Sequence, residues 1–407
     1  MKNLSWRVIA LVVVWECLLA LLGHPLTWPA AAQVYIITDL GALPGRTDSS
    51  AVAINNSGQV IGRSWDSNPI WGTPTSTTRA FLWENGVITD LAPTLPEDTS
   101  PGGINNKGQV VVNSRFTTIG GHATYTQIFL WQNGQLTNLG GSNFLGSECG
   151  GCYPHLSASG INDSGQVILT GRYLVGYSSA ESFIWQNDQV TSLGFLTPPD
   201  WYPTGETFAH AINNIGQVVG WSRRSRWEPG GTFLWQNGVM TRIEIMASDI
   251  NDQGQVVGYR SDISRAGLWN NGVIKDLGTL PGDTNSSAGR INSLGQVIGA
   301  SWRPGSQSRP FLYSNGVMVD LNSLLLPDSG WVLESVSDIN DAGQIVGTGT
   351  FGGRSRAFLL TPVISDILPD HGGNTGEVTV TIVHPGLQEG ATVKLEPNIV
   401  GENTKVI

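Results

Sequence analysis

Four titratable residues precede the same recurring dipeptide and are the chain's best candidates for acid–base chemistry. The pair Ile-Asn recurs seven times, and His210, Asp249, Arg290 and Asp338 stand one or two positions before four of its copies. A carboxylate or imidazole next to a substrate can donate or accept a proton in the transition state. If the protein is an enzyme, these four are its candidate catalytic residues, with a glycosidase or lyase as the reaction class. The alternative is that they are solvated residues without a catalytic role.

Signatures of other catalytic classes are absent from the sequence. It contains no Gly-x-Ser-x-Gly nucleophile elbow, no His-Glu-x-x-His zinc motif, no phosphate-binding loop and no dinucleotide fingerprint. The sequence therefore favours a protein that is not an enzyme.

An internal repeat organises most of the chain. Each copy of Ile-Asn-x-x-Gly-Gln is followed by a relative of Phe-Leu-Trp-x-Asn-Gly, and six copies are then followed by a relative of Asp-Leu-Gly. The copies begin 38 to 57 residues apart, at Ile54, Ile104, Ile161, Ile212, Ile250, Ile291 and Ile339. Such spacing is typical of architectures in which each repeat is one supersecondary unit.

Each repeat is predicted to contain four short strands. In the first copy they span residues 50–54, 59–64, 79–83 and 87–91. A tight turn at residues 55–58 joins the first two strands, and Asn85-Gly86 forms a hairpin between the last two, because both residues tolerate positive φ. Four strands in a repeat of about 45 residues predict one blade of a β-propeller.

The two ends of the repeat region predict how the ring of blades closes. The seventh repeat stops after its third strand, at residues 358–361, and a separate copy of the missing strand lies at residues 35–41. Pairing of the two would protect the edge strands. We therefore predict an all-β fold in which residues 33–361 form a seven-bladed β-propeller of four-stranded blades, closed by the N-terminal strand. The alternative is an open β-solenoid, which would have no need of a divided repeat.

The repeat resembles that of the HAF-repeat probable extracellular proteins of bacteria. The shared residues are 54–62, Ile-Asn-Asn-Ser-Gly-Gln-Val-Ile-Gly, and 80–86, Ala-Phe-Leu-Trp-Glu-Asn-Gly, with their later copies. The His for which the family is named is absent, and in four repeats its place is taken by Arg79, Arg265, Arg309 and Arg356. The resemblance implies an extracellular bacterial protein and no established activity.

Residues 362–407 resemble the opening of an immunoglobulin-like IPT/TIG domain. The matching residues are Ile364, Ile367, Pro369, Gly373, Gly376, 378–382 and 390–393, whereas His384 and Leu387 depart from the pattern. An immunoglobulin-type sandwich takes about 100 residues. We therefore expect this second domain to be incomplete.

Residues 1–32 have the layout of a secretory signal peptide. Lys2 and Arg7 precede an apolar run from Val8 to Leu22, and residues 30–32, all Ala, offer a cleavage site. The run is shorter than the about 20 residues that span a bilayer. We expect export and cleavage, a secreted or cell-surface location, and no membrane span in the mature chain.

The overall composition narrows the range of partners. The chain has 407 residues, of which 13% are charged, 52 glycines and a net charge of -10. Low charge and many glycines are consistent with a turn-rich β protein. An acidic surface repels phosphate groups, so we expect no nucleic-acid partner. We also expect a monomer.

Two cysteines remain after the predicted cleavage, Cys149 and Cys152. Neighbouring cysteines in an exported chain predict a small-loop disulfide. Zinc would require four ligands, and only His155 follows nearby, so we predict no metal site. No cofactor is expected.

The Asn of each Ile-Asn pair is assigned to turn formation, because an Asn side chain can bond to the backbone two residues further on. These residues are Asn55, Asn105, Asn162, Asn213, Asn251, Asn292 and Asn340. Asp163, Asp252 and Asp341 in the same turns leave weak calcium binding open.

Seven tryptophans lie in or beside loops of variable length: Trp65, Trp71, Trp201, Trp221, Trp227, Trp302 and Trp331. Variable loops on a rigid scaffold often carry binding sites, so these are candidate ligand-binding residues. The alternative is that their rings cover the bases of the loops. We expect a secreted, non-catalytic module that binds a polysaccharide or an extracellular protein through this loop face. The alternative function is a carbohydrate-active propeller enzyme with its site at the central channel.

Overall fold

The computed structural model describes residues 35–66, 77–95, 98–117, 124–141, 155–173, 179–197, 205–225, 228–363, 367–370 and 379–382. Within these segments the regular structure consists of β-strands and one 3₁₀ helix, Leu321–Leu324, so the fold is all-β as predicted. No helix among the described residues is long and apolar enough to cross a membrane. The predicted signal peptide, Cys149 and Cys152 lie outside the described residues.

The repeats contain the strands predicted for them, within a residue or two. One strand precedes the first repeat, β1 (Tyr35–Asp39). Repeats 1 and 2 contain β2 (Asp48–Ile54), β3 (Val60–Trp65), β4 (Arg79–Glu84), β5 (Val87–Asp90), β6 (Thr99–Ile104), β7 (Val110–Thr117), β8 (Thr124–Gln132) and β9 (Gln135–Gly141). Repeats 3 and 4 contain β10 (His155–Ile161), β11 (Val167–Tyr173), β12 (Ser179–Gln186), β13 (Gln189–Ser192), β14 (Glu206–Ile212), β15 (Val218–Arg223), β16 (Gly231–Gln236) and β17 (Val239–Ile243).

The later repeats follow the same order. Repeats 5 and 6 contain β18 (Met246–Ile250), β19 (Val256–Arg260), β20 (Arg265–Asn270), β21 (Val273–Gly278), β22 (Asn285–Ile291), β23 (Val297–Trp302), β24 (Arg309–Ser314) and β25 (Val317–Asp320). Repeat 7 contains β26 (Trp331–Ile339), β27 (Ile345–Phe351) and β28 (Arg354–Pro362). A separate hairpin joins β29 (Ile367–Asp370) to β30 (Thr379–Ile382), and the predicted IPT/TIG domain around it stays a prediction.

Each repeat forms an antiparallel sheet in which the strands lie in chain order. Repeats 3 and 4 are also joined into one eight-stranded sheet by a parallel bridge between Ala180 and Glu206. The sheet of repeat 7 is completed by β1, which pairs with β28 so that Tyr35 lies opposite Pro362 and Asp39 opposite Phe358. The pairing predicted between the two ends of the repeat region is therefore present.

The first strand of every repeat has an irregular register two residues before its final Ile. In repeat 6, for example, the pairing with β23 skips Gly289, between Ala288 and Arg290. The bulge brings the first strand so close to the second that a Cβ at Gly299 would overlap the Ser287 carbonyl oxygen and the Phe311 ring. This close approach explains why a glycine is the third residue of the second strand in five of the seven repeats. Bulges of this kind also redirect neighbouring side chains.

The hydrophobic core lies between the sheets of neighbouring repeats. One cluster joins Leu40, Ile54 and Phe81 to Val346 and Leu359, and thus packs repeat 1 against repeat 7. The Phe of the third strand is fully buried in four repeats, where it is Phe81, Phe233, Phe311 or Phe358. Burial of one such ring contributes about 2 kcal/mol. Trp185 and Trp235, from the same strand, are also buried.

Candidate functional site

Seven buried Asn side chains link the repeats into a continuous hydrogen-bonded ladder. Within its own turn, the Asn55 side-chain oxygen accepts hydrogen bonds from the Ser57 and Gln59 amides, at 3.1 and 2.9 Å. The Asn55 side-chain nitrogen donates to the Asn105 carbonyl oxygen of the next repeat at 3.0 Å. The same inter-repeat bond continues through Asn105, Asn162, Asn213, Asn251, Asn292 and Asn340, and from Asn340 it returns to Asn55. The Asn residues thus make the predicted turns and also connect neighbouring repeats.

A second series of side chains, exposed or half-buried, runs beside this ladder. Its members are the residues that directly follow the buried Asn: Asn56, Asn106, Asp163, Asn214, Asp252, Ser293 and Asp341. The Asn106 side-chain oxygen, for example, accepts a hydrogen bond from the Asn56 amide at 2.9 Å. We call these seven residues the outer ring. Three of them are the Asp residues for which calcium binding was left open, and their oxygens accept hydrogen bonds from neighbouring turns. No group of three His, Cys, Asp or Glu side chains among the described residues is placed to hold a metal ion.

The ladder of buried Asn residues and the outer ring surround a cavity of about 210 Å³, which we call the central cavity. Besides the ring residues, its lining includes the repeated Ile side chains and two carboxylates, Asp249 and Asp338. The polar character of the lining follows from the sequence, because every repeat delivers an Ile-Asn-x turn to the same place. The cavity is therefore suited to a polar or charged ligand group.

Three of the four sequence-predicted candidates lie together beside the central cavity. The Arg290 Nε atom is 4.0 Å from Asp338 Oδ1, and Asp249 lies close enough to interact electrostatically with both. Each carboxylate also accepts a backbone hydrogen bond from the following repeat, Asp249 from the Ile291 amide and Asp338 from the Ile54 amide, both at 3.0 Å. The cluster therefore combines two carboxylates with one cation and is fixed to neighbouring sheets.

The surroundings of these carboxylates disfavour their charged form. Burial raises the pKa of Asp338 to about 6, although Arg290 and the Ile54 amide act in the opposite direction, and the nearby Asp249 adds to the rise. Burial likewise raises the pKa of Asp249, against the effect of Arg290. The Asp338 side chain keeps 20% of its surface exposed, so protons can reach it from solvent.

His210 stands apart from this cluster. It occupies the bulge of β14, and its Nδ1 atom lies 2.8 Å from the Ala247 carbonyl oxygen of repeat 5. Because a carbonyl oxygen can only accept, Nδ1 must carry the proton in this contact. His210 thus joins two repeats and does not complete an acid–base set with Asp249 and Asp338.

Four of the seven tryptophan candidates fall within the described residues: Trp65, Trp221, Trp302 and Trp331. Trp331 stacks on Phe351 with a centroid distance of 4.8 Å, and Trp221 stacks on Phe208 at 6.1 Å. Trp65 and Trp302 occupy equivalent places at the ends of β3 and β23. A second cavity, of about 530 Å³, includes Trp221 in its lining. Trp71, Trp201 and Trp227 lie outside the described residues.

Sequence reasoning missed the outer ring and the proximity of Asp249 to Asp338. A signal for the ring existed, because an Asn or Asp follows the buried Asn in six of seven repeats. No local signal pointed to the second feature, since repeats 5, 6 and 7 meet here only through the overall arrangement of the sheets.

Comparisons with known proteins identify the fold. No protein-family profile matches the chain, and no curated protein matches it in sequence. Among solved structures, it is similar to the β-propeller domain of the Trilobed protease from Pyrococcus furiosus, with 10% identity and a TM-score of 0.50 over 82% of this chain and 96% of that one. It is also similar to acylaminoacyl peptidase from Pyrococcus horikoshii, with 12% identity and a TM-score of 0.51 over 78% of this chain. The chain spans about half of that peptidase, 52% of its length.

These matches contradict the function expected from the sequence. The similar propellers are parts of peptidases, so the expectation of a non-catalytic module for polysaccharides or extracellular proteins is wrong. Its alternative, a carbohydrate-active enzyme, is not supported by these peptidase structures either. The expectation failed because variable loops and exposed aromatic rings are common to binding surfaces of many kinds, and propellers serve many functions. At 10 to 12% identity the likeness itself establishes the propeller fold only.

Proposed function

We propose that the chain is a peptidase-type propeller that binds peptides at its central cavity and holds their positively charged group against the acidic lining. The observation that carries the proposal is the cavity itself, which five carboxylates line: Asp163, Asp249, Asp252, Asp338 and Asp341. Arg290 is the cation paired with this set. The peptidase matches are to propeller domains, so the proposal places peptide binding, and not cleavage, in the repeat region.

The proposal includes a finer description of the fold. The seven repeats would be the blades of a closed propeller, with β1 acting as the last strand of the seventh blade. The pairing of β1 with β28 supports this arrangement, as does the hydrogen bond from Asn340 back to Asn55. A closed ring matters for the function because it brings Asp249 and Asp338 to one cavity.

We also retain three sequence-based assignments as proposals. They are membership of the HAF-repeat proteins, an IPT/TIG-like segment after residue 361, and export to the cell surface or medium. The motifs in residues 54–62 and 80–86 and the apolar run after Arg7 support them. A peptide-binding propeller outside the cell would meet peptides released from other proteins.

A positive group is favoured because the cavity is concave and three carboxylates of the outer ring, Asp163, Asp252 and Asp341, line it together. Carboxylates that share a cleft produce a stronger field than isolated surface charges, since the low-dielectric walls focus it. Peptides carry such a group at the α-amino terminus and on Lys and Arg side chains. An α-amino group is the more general choice, because every unblocked peptide has one.

The direct test is calorimetric titration of the full chain with tetra-alanine amide and with its N-acetylated form. The free-amine peptide should bind at least about tenfold more tightly, which corresponds to about 1.4 kcal/mol. The difference should shrink when salt is raised well above about 0.15 M, because the attraction is electrostatic. Equal affinity for the two peptides would contradict the proposal.

Two variants locate the site. Asp252→Asn and Asp341→Asn each remove a charge from the outer ring and keep the side-chain oxygen that accepts the Asn214 or Ser293 amide. Each should weaken binding of the free-amine peptide and leave the acetylated peptide unchanged. The matched control is Asp328→Asn, which changes an exposed carboxylate that does not line the cavity. If Asp328→Asn weakened binding of the free-amine peptide as much as the ring variants do, the peptide would not bind at the central cavity.

A further inference from the structure

The outer ring is interrupted at one of its seven steps. At six steps, the backbone amide of a ring residue donates to the side-chain oxygen of the next ring residue, at 2.8 to 3.0 Å. The remaining step runs from Asp252 to Ser293. Among the described residues no side chain accepts a hydrogen bond from the Asp252 amide. The geometry of the other six steps therefore shows where an acceptor oxygen would lie between Asp252 and Ser293.

The cause of the interruption is the length of the side chain at position 293. The other six ring residues are Asn or Asp, whose Oδ1 atom lies one bond further from the backbone than the Oγ atom of serine. Ser293 keeps its own place in the ring, because its amide donates to Asp341 Oδ1 at 2.8 Å. The turn is thus correctly positioned, and only the oxygen that would reach Asp252 is missing.

The open position faces the central cavity. Asp252 and Ser293 both line that cavity, and Asp252 is exposed. A ligand group at this position would therefore meet a backbone donor and two ring carboxylates, Asp252 and Asp341.

We infer that the Asp252 amide binds the first carbonyl oxygen of a peptide, so that the site recognises the N-terminal residue of its ligand. This inference rests on the proposed function, because it assumes that the peptide ammonium group lies against the ring carboxylates. An N-terminal residue carries its ammonium group and its carbonyl oxygen about 3 Å apart. The carbonyl oxygen takes the place that Oδ1 takes at the other six steps.

The chemistry of the surroundings selects this group over other acceptors. A free carboxylate would be repelled by Asp252 and Asp341, whereas a peptide carbonyl is uncharged. The Asp252 amide needs an acceptor, and a backbone donor that loses water without gaining a partner is costly. The ligand class is therefore a peptide with a free N-terminus.

The experiment fills the open position with the residue that the chain itself uses elsewhere. Ser293→Asn copies Asn56, Asn106 and Asn214 and supplies the missing acceptor. Ser293→Thr is the matched control, because it keeps a hydroxyl group and adds no atom at the Oδ1 position. The probe is leucyl-trialanine amide, measured against the full chain by titration calorimetry and by hydrogen exchange of the Asp252 amide. Thermal melting of both variants checks that they are folded.

The expected results are specific to this inference. In the wild type, the peptide should slow hydrogen exchange of the Asp252 amide. Ser293→Asn should slow this exchange even without peptide and should weaken peptide binding at least about tenfold. Ser293→Thr should bind the peptide with an affinity within about twofold of that of the wild type. If the peptide binds without slowing this amide, or binds Ser293→Asn as well as the wild type, the inference is wrong while the proposed function stands. If the wild type binds neither this peptide nor tetra-alanine amide, the proposed function itself fails.

Discussion

The side-chain nitrogen of Asn340 donates a hydrogen bond to the carbonyl oxygen of Asn55 at 3.0 Å, across 285 positions of the sequence. Six equivalent bonds join the other neighbouring repeats, and all seven Asn side chains are buried. One residue type therefore shapes each turn and also holds successive turns at a fixed distance. This arrangement gives the central cavity its uniform polar wall, and it makes the ladder a direct target for tests of stability.

Asn340→Ala should destabilise the fold by about 2 to 4 kcal/mol, because several buried hydrogen-bond partners would lose their counterpart. Those partners include the Asn55 carbonyl oxygen and the Ala342 and Gln344 amides. Urea denaturation followed by tryptophan fluorescence measures the change. Asn56→Ala, at an exposed ring position, is the control and should cost about 1 kcal/mol or less. Equal losses for the two variants would contradict a special role for the buried ladder.

Asp338→Asn should stabilise the protein at neutral pH and have little effect at pH 4. The folded-state pKa of Asp338 is raised from 3.8 to about 6, so this carboxyl favours folding below pH 3.8, and that contribution is lost as the pH rises through about 6. Asn cannot ionise and keeps an oxygen for the Ile54 amide. The expected gain at pH 7.5 is about 1 to 3 kcal/mol.

The measurement for Asp338→Asn is a pair of urea titrations at pH 4 and pH 7.5. Asp328→Asn, at an exposed position, is the control and should change stability by less than about 0.5 kcal/mol at both values. A gain for Asp338→Asn that is equal at the two pH values would show that ionisation is not its source.

Tyr35→Ala should destabilise the fold by about 3 to 5 kcal/mol, the usual cost of removing a large buried ring. Tyr35 lies in β1, is fully buried, and donates through its hydroxyl group to the Gly343 carbonyl oxygen at 3.3 Å. Ile36→Ala is the control, since the neighbouring side chain has 53% of its surface exposed. If thermal melting showed the two variants to be alike, β1 would not be an integral strand of repeat 7.

Ser293→Asn should raise the free energy of unfolding by about 1 kcal/mol, because one hydrogen bond is added at the single open step of the outer ring. Ser293→Thr should leave stability within about 0.5 kcal/mol of the wild type. Chemical denaturation of both variants without any peptide gives the comparison. A loss of stability in Ser293→Asn would mean that the turn of repeat 6 differs from the other turns in more than its side chain.

Local features of the structure could be predicted from the sequence. Asn85-Gly86 indicated a hairpin, and both residues have positive φ, 49° and 83°. The divided seventh repeat indicated the partner of β1. These predictions succeed because turn geometry and strand pairing depend on residues that are close together or visibly repeated.

The candidate site was less predictable for a physical reason. Asp249 and Asp338 are 89 positions apart, and only the packing of three successive sheets brings both carboxylates to Arg290. The role of the tryptophans stays a prediction, because a ring that binds a ligand and a ring that packs on a neighbour, as Trp331 packs on Phe351, are identical in sequence. Functions that depend on exposed aromatic rings therefore cannot be distinguished from the sequence alone.

The most direct test of the central claim is the affinity of the full chain for tetra-alanine amide compared with its N-acetylated form. The two peptides differ by one positive charge at the end that should enter the central cavity. We predict that the free-amine peptide binds at least about tenfold more tightly at low salt, and that Asp252→Asn reduces this preference. Equal binding of the two peptides, or a preference that survives loss of the ring carboxylates, would contradict a peptide-binding role for the central cavity.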